Sequence, residues 1–311
     1  MNEVIWVDAT GMAWDNTIGH KLERLLDDSG VKSRLSADMR VALKIDSAEQ
    51  GYEYGLRPSF IRVVADWISQ ATHKRPIVCD GPRLVDYWKR SKGNVFLEVA
   101  SGRGYANETL GGHFVINGGF SGDEGDLYPC GTESELGGVE VGTAVCRSDA
   151  LWVLSHVTLH PLFGMSGALL NGGFNCLTGR ARTRLLDGLN PYLFNGQRPD
   201  AEVLETFKHR ALESHLAVRT ALESRVFYIN YLWDITPQPE YYPYSEQPLG
   251  INLGFMAGTD PVAVDAATAA LIDSQQQTAA PEQTVPAFQE LIARAEGMGL
   301  GRQGLTIRRL S

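Results

Sequence analysis

Cysteine is scarce in this chain of 311 residues. The four cysteines stand far apart, and no two of them form a C-x-x-C pair: Cys79, Cys130, Cys146 and Cys176. That spacing argues against a zinc site or a redox dithiol built from neighbouring thiols. We therefore predict small buried thiols in a protein of the reducing cytosol.

The sequence also lacks an excess of positive charge and long apolar runs. A formal net charge of -9 argues against a sequence-independent hold on nucleic acid, which needs Lys and Arg to neutralise phosphates. No run approaches the roughly 18 apolar residues that predict a membrane-spanning helix, and the opening MNEVIWVDATG lacks the pattern of a signal peptide. We expect a cytoplasmic protein with a small-molecule substrate and no nucleic-acid or membrane partner, and a homodimer is compatible with this composition.

Apolar strands alternate with amphipathic helices along the chain. Strands are predicted at residues 3–9, 40–45, 76–82, 151–154, 227–232 and 253–258, and helices at residues 18–26, 59–71, 200–226, 262–272 and 285–296. This alternation is typical of parallel βαβ units. It predicts an α/β fold, with a mostly parallel sheet and helices on both faces. One domain over residues 1–311 is the simplest arrangement, and two intertwined lobes are the alternative.

Two segments fall outside this alternation. Residues 111–142 are rich in glycine and acidic residues in irregular order, which predicts a long surface connection or a hairpin, with residues 139–145 pairing as a strand. Residues 275–311 are predicted to form a polar link, a closing helix and a tail.

The stretch from residue 151 to residue 182 is the candidate centre of function. An apolar strand ends in Ser155 and His156, and His160, Pro161 and a glycine-rich run follow. A buried strand that opens into such a loop fits the carboxyl-end edge of an α/β sheet, where ligands bind.

The order of these segments resembles the domain of unknown function 362 family. The resemblance covers nearly the whole chain and rests on EVIWVDA with KLERLL, VALKID with RPSFIRVVADWI, IVCD, DALWVLSHVTLHPLFGMSGALLNGGF, FYINYLWDITP and GTDPVAVDAAT. Members of this family are often labelled iron–sulfur centre proteins. The resemblance implies a pocket at the sheet edge and a catalytic role for its residues.

The central motif is also similar to the loop of nickel-pincer lactate racemases. His160 aligns with their catalytic histidine, whereas Leu170 occupies the position of the lysine that binds their cofactor, so a covalent pincer at that position is excluded. Typical relatives have a histidine where this chain has Asp46, and a cysteine-rich loop where it has residues 237–243. They also have a ferredoxin-like insertion. Because no cysteine follows Arg182, we expect no iron–sulfur cluster. A divalent metal or a dissociable flavin stays open as a cofactor, and the absence of a G-x-G-x-x-G after a strand gives no support to nicotinamide.

The candidate residues have roles that follow from their chemistry. We assign acid/base catalysis to His160 assisted by His156, and binding of an anionic group to Lys44, Arg57 and Arg180. Polar and aromatic residues that shape the pocket are Asn171, Asp234, Tyr241, Tyr242 and Tyr244. A divalent metal would be held by Asp46, Asp80 and His156. The alternatives are structural histidines, a Lys44 held by an acidic residue and an Asp80 that caps a turn.

These residues predict an enzyme that transfers a proton or hydride on a small oxygenated organic acid or aromatic carbonyl compound, in a specialised biosynthetic or catabolic pathway. The chemistry would be that of an isomerase, a lyase or an oxidoreductase. One alternative is a non-catalytic protein that binds a ligand or metal. The other is a flavin- or mononuclear-metal-dependent oxidoreductase.

Overall fold

The computed structural model of the protein describes residues 3–82, 93–187, 189, 200–274, 284–304 and 306–310. Its strands are β1 (Glu3–Val7), β2 (Val41–Lys44), β3 (Ile77–Asp80), β4 (His113–Ile116), β5 (Gly125–Pro129), β6 (Gly138–Gly142), β7 (Ala150–His156), β8 (Leu159–His160), β9 (Gly164–Met165), β10 (Val226–Leu232), β11 (Gly254–Gly258) and β12 (Thr306–Leu310). Its helices are α1 (Ile18–Asp28), α2 (Pro58–Thr72), α3 (Gly93–Gly102), α4 (Asn107–Leu110), α5 (Thr143–Cys146), α6 (Ala168–Asn171), α7 (Gly179–Leu185), α8 (Ala201–Ala221), α9 (Pro261–Ser274) and α10 (Thr284–Gly297). Within the described ranges, no helix is both long and apolar enough to cross a bilayer.

Eight strands form one sheet in the order β12-β1-β11-β10-β7-β2-β3-β4. Strand β11 runs antiparallel to its neighbours β1 and β10, and the other paired strands of this sheet are parallel. The prediction of an α/β fold with a mostly parallel sheet is therefore confirmed. One consequence is that β1, β2, β3, β4, β7 and β10 end at the same edge, so the loops that follow them lie side by side.

Both faces of the sheet are covered by helices, as expected for nearly continuous apolar strands. On one face the ring of Trp152 lies 5.4 Å from that of Trp67 on α2 and 5.0 Å from that of Phe227. On the other face Leu151 and Val153 belong to a cluster that includes residues of α6, α8 and α9. The four cysteines lie in this second cluster with free thiols, which confirms the prediction that they are buried.

The two segments outside the alternation contribute more to the sheet than their sequences indicate. Residues 111–142 contain the edge strand β4 and a hairpin of β5 and β6, with Gly125 paired to Gly142. The hairpin was among the predicted forms, whereas the edge strand was hidden by the surrounding glycines. In residues 275–311, helix α10 is followed by β12, which pairs in parallel with β1 rather than forming a tail. The predicted polar link at residues 275–281 lies outside the described residues.

A buried aspartate of α9 ties the loop after β7 to the sheet. Asp265 Oδ1 accepts hydrogen bonds from the backbone N–H of Ala168 and from Nδ2 of Asn230, each at 2.8 Å, and Oδ2 accepts from the N–H of Leu169 at 2.9 Å. Burial raises the pKa of Asp265 to about 6. A β-carbon on Gly167 would collide with this carboxylate, so the loop can pass Asp265 only because residue 167 is a glycine.

We predict that Asp265→Asn lowers the free energy of unfolding by about 1 to 3 kcal/mol, because it leaves one acceptor oxygen where three donors converge. Urea unfolding at neutral pH measures this difference. The matched control is Asp273→Asn, an exposed aspartate on the same helix, which should change stability by less than about 0.5 kcal/mol. Equal stability of the two variants would show that Asp265 does not hold the loop.

Candidate functional site

The loops after β2, β7 and β10 are joined by hydrogen bonds at the carboxyl-end edge. The N–H of Glu49 donates to the carbonyl of Glu240 at 2.8 Å, and the hydroxyl of Tyr52 donates to the carbonyl of Gln238 at 2.9 Å. After β7, the N–H of Leu159 donates to the carbonyl of Thr236 at 2.9 Å. Segment 236–240 thus serves as the link between the other two loops.

His156 is fully buried and has an acceptor on each side of its ring. Nδ1 lies 2.8 Å from Oε1 of Glu240, and Nε2 lies 2.8 Å from the carbonyl oxygen of Trp233 and 3.1 Å from that of Asp234. Carbonyl oxygens only accept hydrogen bonds, so Nε2 carries a hydrogen. The remaining proton of the pair lies between Nδ1 and Glu240.

Two opposing effects set the protonation of this pair. Burial alone would favour a neutral imidazole, but the Glu240 carboxylate and the two backbone carbonyls stabilise the charged form, and together they raise the pKa of His156. Asp46 adds negative charge beside Glu240. These contacts favour the protonated imidazole, and His156 fixes the turn after β10 with both ring nitrogens engaged.

His160 has the opposite character. Its Nδ1 accepts a hydrogen bond from the N–H of Leu162 at 3.2 Å, and its Nε2 lies 3.4 Å from the hydroxyl oxygen of Tyr241. With Nδ1 acting as an acceptor, the ring hydrogen is on Nε2 and points to Tyr241. Burial lowers the pKa of His160 to about 3, so the imidazole is neutral at physiological pH.

A row of tyrosines extends from His160 towards solvent. The ring of Tyr241 lies 5.5 Å from that of His160 and 5.0 Å from that of Tyr242, and the rings of Tyr242 and Tyr244 are 5.6 Å apart. Tyr241 and Tyr242 are half-buried, whereas 55% of Tyr244 is exposed. The three predicted tyrosines thus form one aromatic wall beside a predicted catalytic residue.

Lys44 and Asp80 form a buried ion pair beneath the edge. The amine of Lys44 is 3.0 Å from Oδ1 of Asp80 and donates to the carbonyl of Ile45 at 2.6 Å. Asp80 also accepts from the N–H and hydroxyl of Ser47, at 2.9 and 3.0 Å, and from the N–H of Gly81 at 2.8 Å. These contacts match the alternatives in which an acid holds Lys44 and Asp80 caps a turn.

The predicted metal site is not assembled. In the part of the chain that the structure describes, no three His, Cys, Asp or Glu side chains are grouped so that they could hold a metal ion. Asp46, Asp80 and His156 therefore do not form such a group. The physical reason is that Asp80 is bound by Lys44 and Ser47, and the ring of His156 by Glu240 and carbonyl groups.

Arg57 and Asp234 meet at the mouth of the edge. Nη2 of Arg57 lies 2.9 Å from Oδ2 of Asp234, and its guanidinium stands over the ring of Trp233 at 5.3 Å. The side chain of Arg57 is 47% exposed. Asp234 has a φ of +52°, a left-handed conformation that non-glycine residues rarely adopt, which turns its carbonyl towards His156. A strained residue of this kind is common at functional sites.

Asn171 and Arg180 lie in other networks. Asn171 is in α6 and bonds to the carbonyl of Gly167 and to Asn175, at 3.1 and 2.8 Å. Arg180 is in α7, and its guanidinium contacts the carboxylate of Glu140 on the hairpin at 3.2 Å. The structure therefore groups the other predicted residues at the edge but places these two with the scaffold around the hairpin and α6.

Sequence reasoning missed Glu240 and His215. Glu240 stands in the proline-rich stretch PQPEYYP, where an acidic residue flanked by prolines and tyrosines was the available signal. His215 of α8 is buried and lies between the carbonyl of Leu169, 3.0 Å from Nδ1, and the hydroxyl of Tyr228, 2.7 Å from Nε2. Glu240 belongs to the site, and His215 is a satisfied core histidine that supports α6.

Two solved structures are similar to the chain at low sequence identity. A crystal structure of a protein from Thermotoga maritima is 14% identical over 91% of this chain and 59% of the other, with a TM-score of 0.41. The lactate racemase apoprotein from Thermoanaerobacterium thermosaccharolyticum is 12% identical over 73% of this chain and 50% of the other, with a TM-score of 0.43. The chain thus spans 59% of the first protein and half of the second.

The family assignment rests on a match between the sequence and a family model. No curated protein matches the chain. The family model described as Domain of unknown function (DUF362) matches residues 41–270, more than half of the sequence, and the protein therefore belongs to the domain of unknown function 362 family.

Proposed function

We propose that the protein is an enzyme that moves a proton at the carbon next to a carbonyl or carboxylate group of a small organic acid. The observation that carries this proposal is the pairing of a neutral His160 with the hydroxyl of Tyr241 at the carboxyl-end edge, in a loop held by the buried His156 and Glu240. An isomerase or lyase uses this chemistry. Hydride transfer remains the alternative raised by the sequence.

The tautomer of His160 defines its proposed role. Because its Nε2–H points to the oxygen of Tyr241, that hydroxyl accepts from His160, and in the proposed step it would donate its own hydrogen to the ligand. When a proton leaves the carbon next to a carbonyl, negative charge develops on the carbonyl oxygen. A positioned donor at that oxygen lowers the barrier for the step. His160 thus has two parts in the proposed step. Its Nε2–H orients the Tyr241 hydroxyl as the donor to the carbonyl oxygen, and its Nδ1 would accept the proton that leaves the carbon.

The neutrality of His160 suits an anionic substrate. In the structure no positive charge resides on this ring, because burial lowers its pKa to about 3. A carboxylate bound nearby would raise that pKa, since opposite charge stabilises the imidazolium. Substrate binding would therefore make His160 a better proton acceptor at the moment when it is needed.

Arg57 is the proposed anchor for the carboxylate. It is exposed at the start of α2 and is held over Trp233 by its contact with Asp234. A guanidinium oriented in this way can form two parallel hydrogen bonds with a carboxylate. The tyrosine row offers flat apolar surface, which favours substrates with a planar or aromatic group.

We predict that the protein catalyses exchange with solvent deuterium of the C2 hydrogen of 2-hydroxy acids or of the C3 hydrogens of 2-oxo acids, followed by proton NMR. His160→Ala should slow this exchange at least tens-fold, because acid/base assistance accelerates such reactions by about 100- to 10,000-fold. Tyr241→Phe should slow it by about 100-fold, the usual effect of losing one donor to a developing oxyanion.

Two matched variants serve as controls for that experiment. His113→Gln changes an exposed histidine on β4, and Tyr128→Phe changes a tyrosine of the hairpin. Both should retain the wild-type rate. If a panel of acids exchanges at the rate of buffer alone while some of them bind tightly, the protein is a binding protein and the proposal fails.

We also predict that Glu240→Gln lowers the free energy of unfolding by about 1 to 3 kcal/mol near pH 6, because it removes the carboxylate partner of His156. The pKa of His156 is raised in the folded protein. Its stabilising contribution is therefore complete below the unfolded pKa of about 6.5 and is lost as the pH rises through the higher folded pKa.

Urea unfolding of both proteins between about pH 6 and pH 9 measures this effect. The stability difference between wild type and Glu240→Gln should shrink as the pH rises. Glu246→Gln, a change in the same loop at an exposed residue, provides the control. A difference that stays constant over this range would mean that His156 is not the charged partner.

A further inference from the structure

A cavity lies beside the Arg57–Asp234 pair, on the side of Asp234. It has a volume of about 590 Å³ and opens at the same edge of the sheet. The residues that decide its chemistry come from the loops after β1, β2 and β10 and from the segment before β11: Thr10, Tyr54, Asp234, Gln247, Ile251 and Asn252. The volume is in the range typical of small-molecule sites.

The polar groups of this cavity can both donate and accept hydrogen bonds. Asp234 Oδ2 is bound by Arg57, and within the described residues Oδ1 has no partner. Asn252 uses its side-chain oxygen to accept from the N–H of Asp234 at 2.8 Å, which leaves its NH₂ group as a donor. Thr10 and Tyr54 add hydroxyl groups to the same cavity.

The charge and shape of the cavity indicate which class of ligand it can bind. Because Arg57 neutralises Asp234, the carboxylate offers strong acceptor oxygens without a net negative charge that would select a cation. A ligand with hydroxyl groups on adjacent carbons is complementary to a carboxylate beside an amide. Each hydroxyl can donate a hydrogen bond to one of these groups and accept one from the other. Ile251, which is 63% exposed, and the ring of Tyr54 offer apolar surface for C–H groups.

We infer that this cavity binds a glycosyl group, with two adjacent hydroxyls held by Asp234 and Asn252 and one face of the sugar against Ile251 and Tyr54. The left-handed backbone of Asp234 has a function in this arrangement. It allows one residue to present its carbonyl to His156 and its carboxylate to both Arg57 and the sugar. The inference does not depend on the proposed proton transfer.

The test is direct binding, measured by saturation-transfer NMR and titration calorimetry. The probes are methyl β-D-ribofuranoside and methyl β-D-glucopyranoside, each with its 2-deoxy analogue. We expect at least one parent glycoside to bind and its 2-deoxy analogue to bind about 10-fold more weakly, because the analogue loses one hydrogen bond to a charged group.

The informative variant is Asp234→Asn. Asparagine tolerates the left-handed conformation, so the backbone should be retained, whereas the charged acceptor is lost and binding should weaken about 10-fold. Asp66→Asn is the matched control, because Asp66 also pairs with an exposed arginine, Arg62, at 2.7 Å but lies outside the cavity. Thermal unfolding of each variant verifies that the fold is intact.

Each outcome separates this inference from the proposed function. Binding that requires the 2-hydroxyl and Asp234, and that persists in His160→Ala, supports the glycosyl site whether or not proton exchange is observed. Failure of every glycoside to bind the wild-type protein, or equal binding by wild type and Asp234→Asn, overturns it. Neither result alters the deuterium-exchange test of His160 and Tyr241.

Discussion

The candidate site depends on one buried contact, the pairing of His156 with Glu240. The ring of His156 holds the turn after β10 through two backbone carbonyls and holds the far end of the same loop through Glu240. Residue 241 follows directly, so the place of the Tyr241 hydroxyl is set by this pair. Buried ion pairs contribute little net stability because desolvation offsets their attraction. The contribution of this pair is therefore geometric, since it closes the loop that leads to Tyr241.

The loop after β7 is held at both of its ends. Its first residues pair with the chain after β10, and His160 lies in the short strand β8, which pairs with Gly164 of β9. Gly164 has a φ of +80°, so this tight turn requires a glycine. At its far end the loop is fixed by Asp265. The glycines that indicated a ligand-binding loop in the sequence are thus explained by a turn and by close packing.

Much of the fold could be predicted from periodicity, and the site only in part. Strand β7 and helix α2 were predictable because their apolar residues recur at the spacing of a strand or helix. Strand β12, TIRRL, was not, because an edge strand with charged residues has no apolar pattern. The predicted strand ends also indicated that four residues would lie at one edge of the sheet: Lys44, Asp80, His156 and Asp234. The partner of each could not be predicted, because Lys44 and Asp80 are 36 residues apart, and which side chains meet depends on register and loop path.

The charges at this edge have a common organisation that bears on its chemistry. Lys44 is paired with Asp80, Arg57 with Asp234 and His156 with Glu240, so each of these cations is balanced by a carboxylate at hydrogen-bond distance. His160 stands beside them as a neutral ring. A site built from balanced pairs acts on a substrate through oriented hydrogen bonds, because these need no rearrangement when charge develops. In the proposed function, this organisation would polarise a substrate oxygen, with the pairs as rigid support and with His160 and Tyr241 as the groups that contact the substrate.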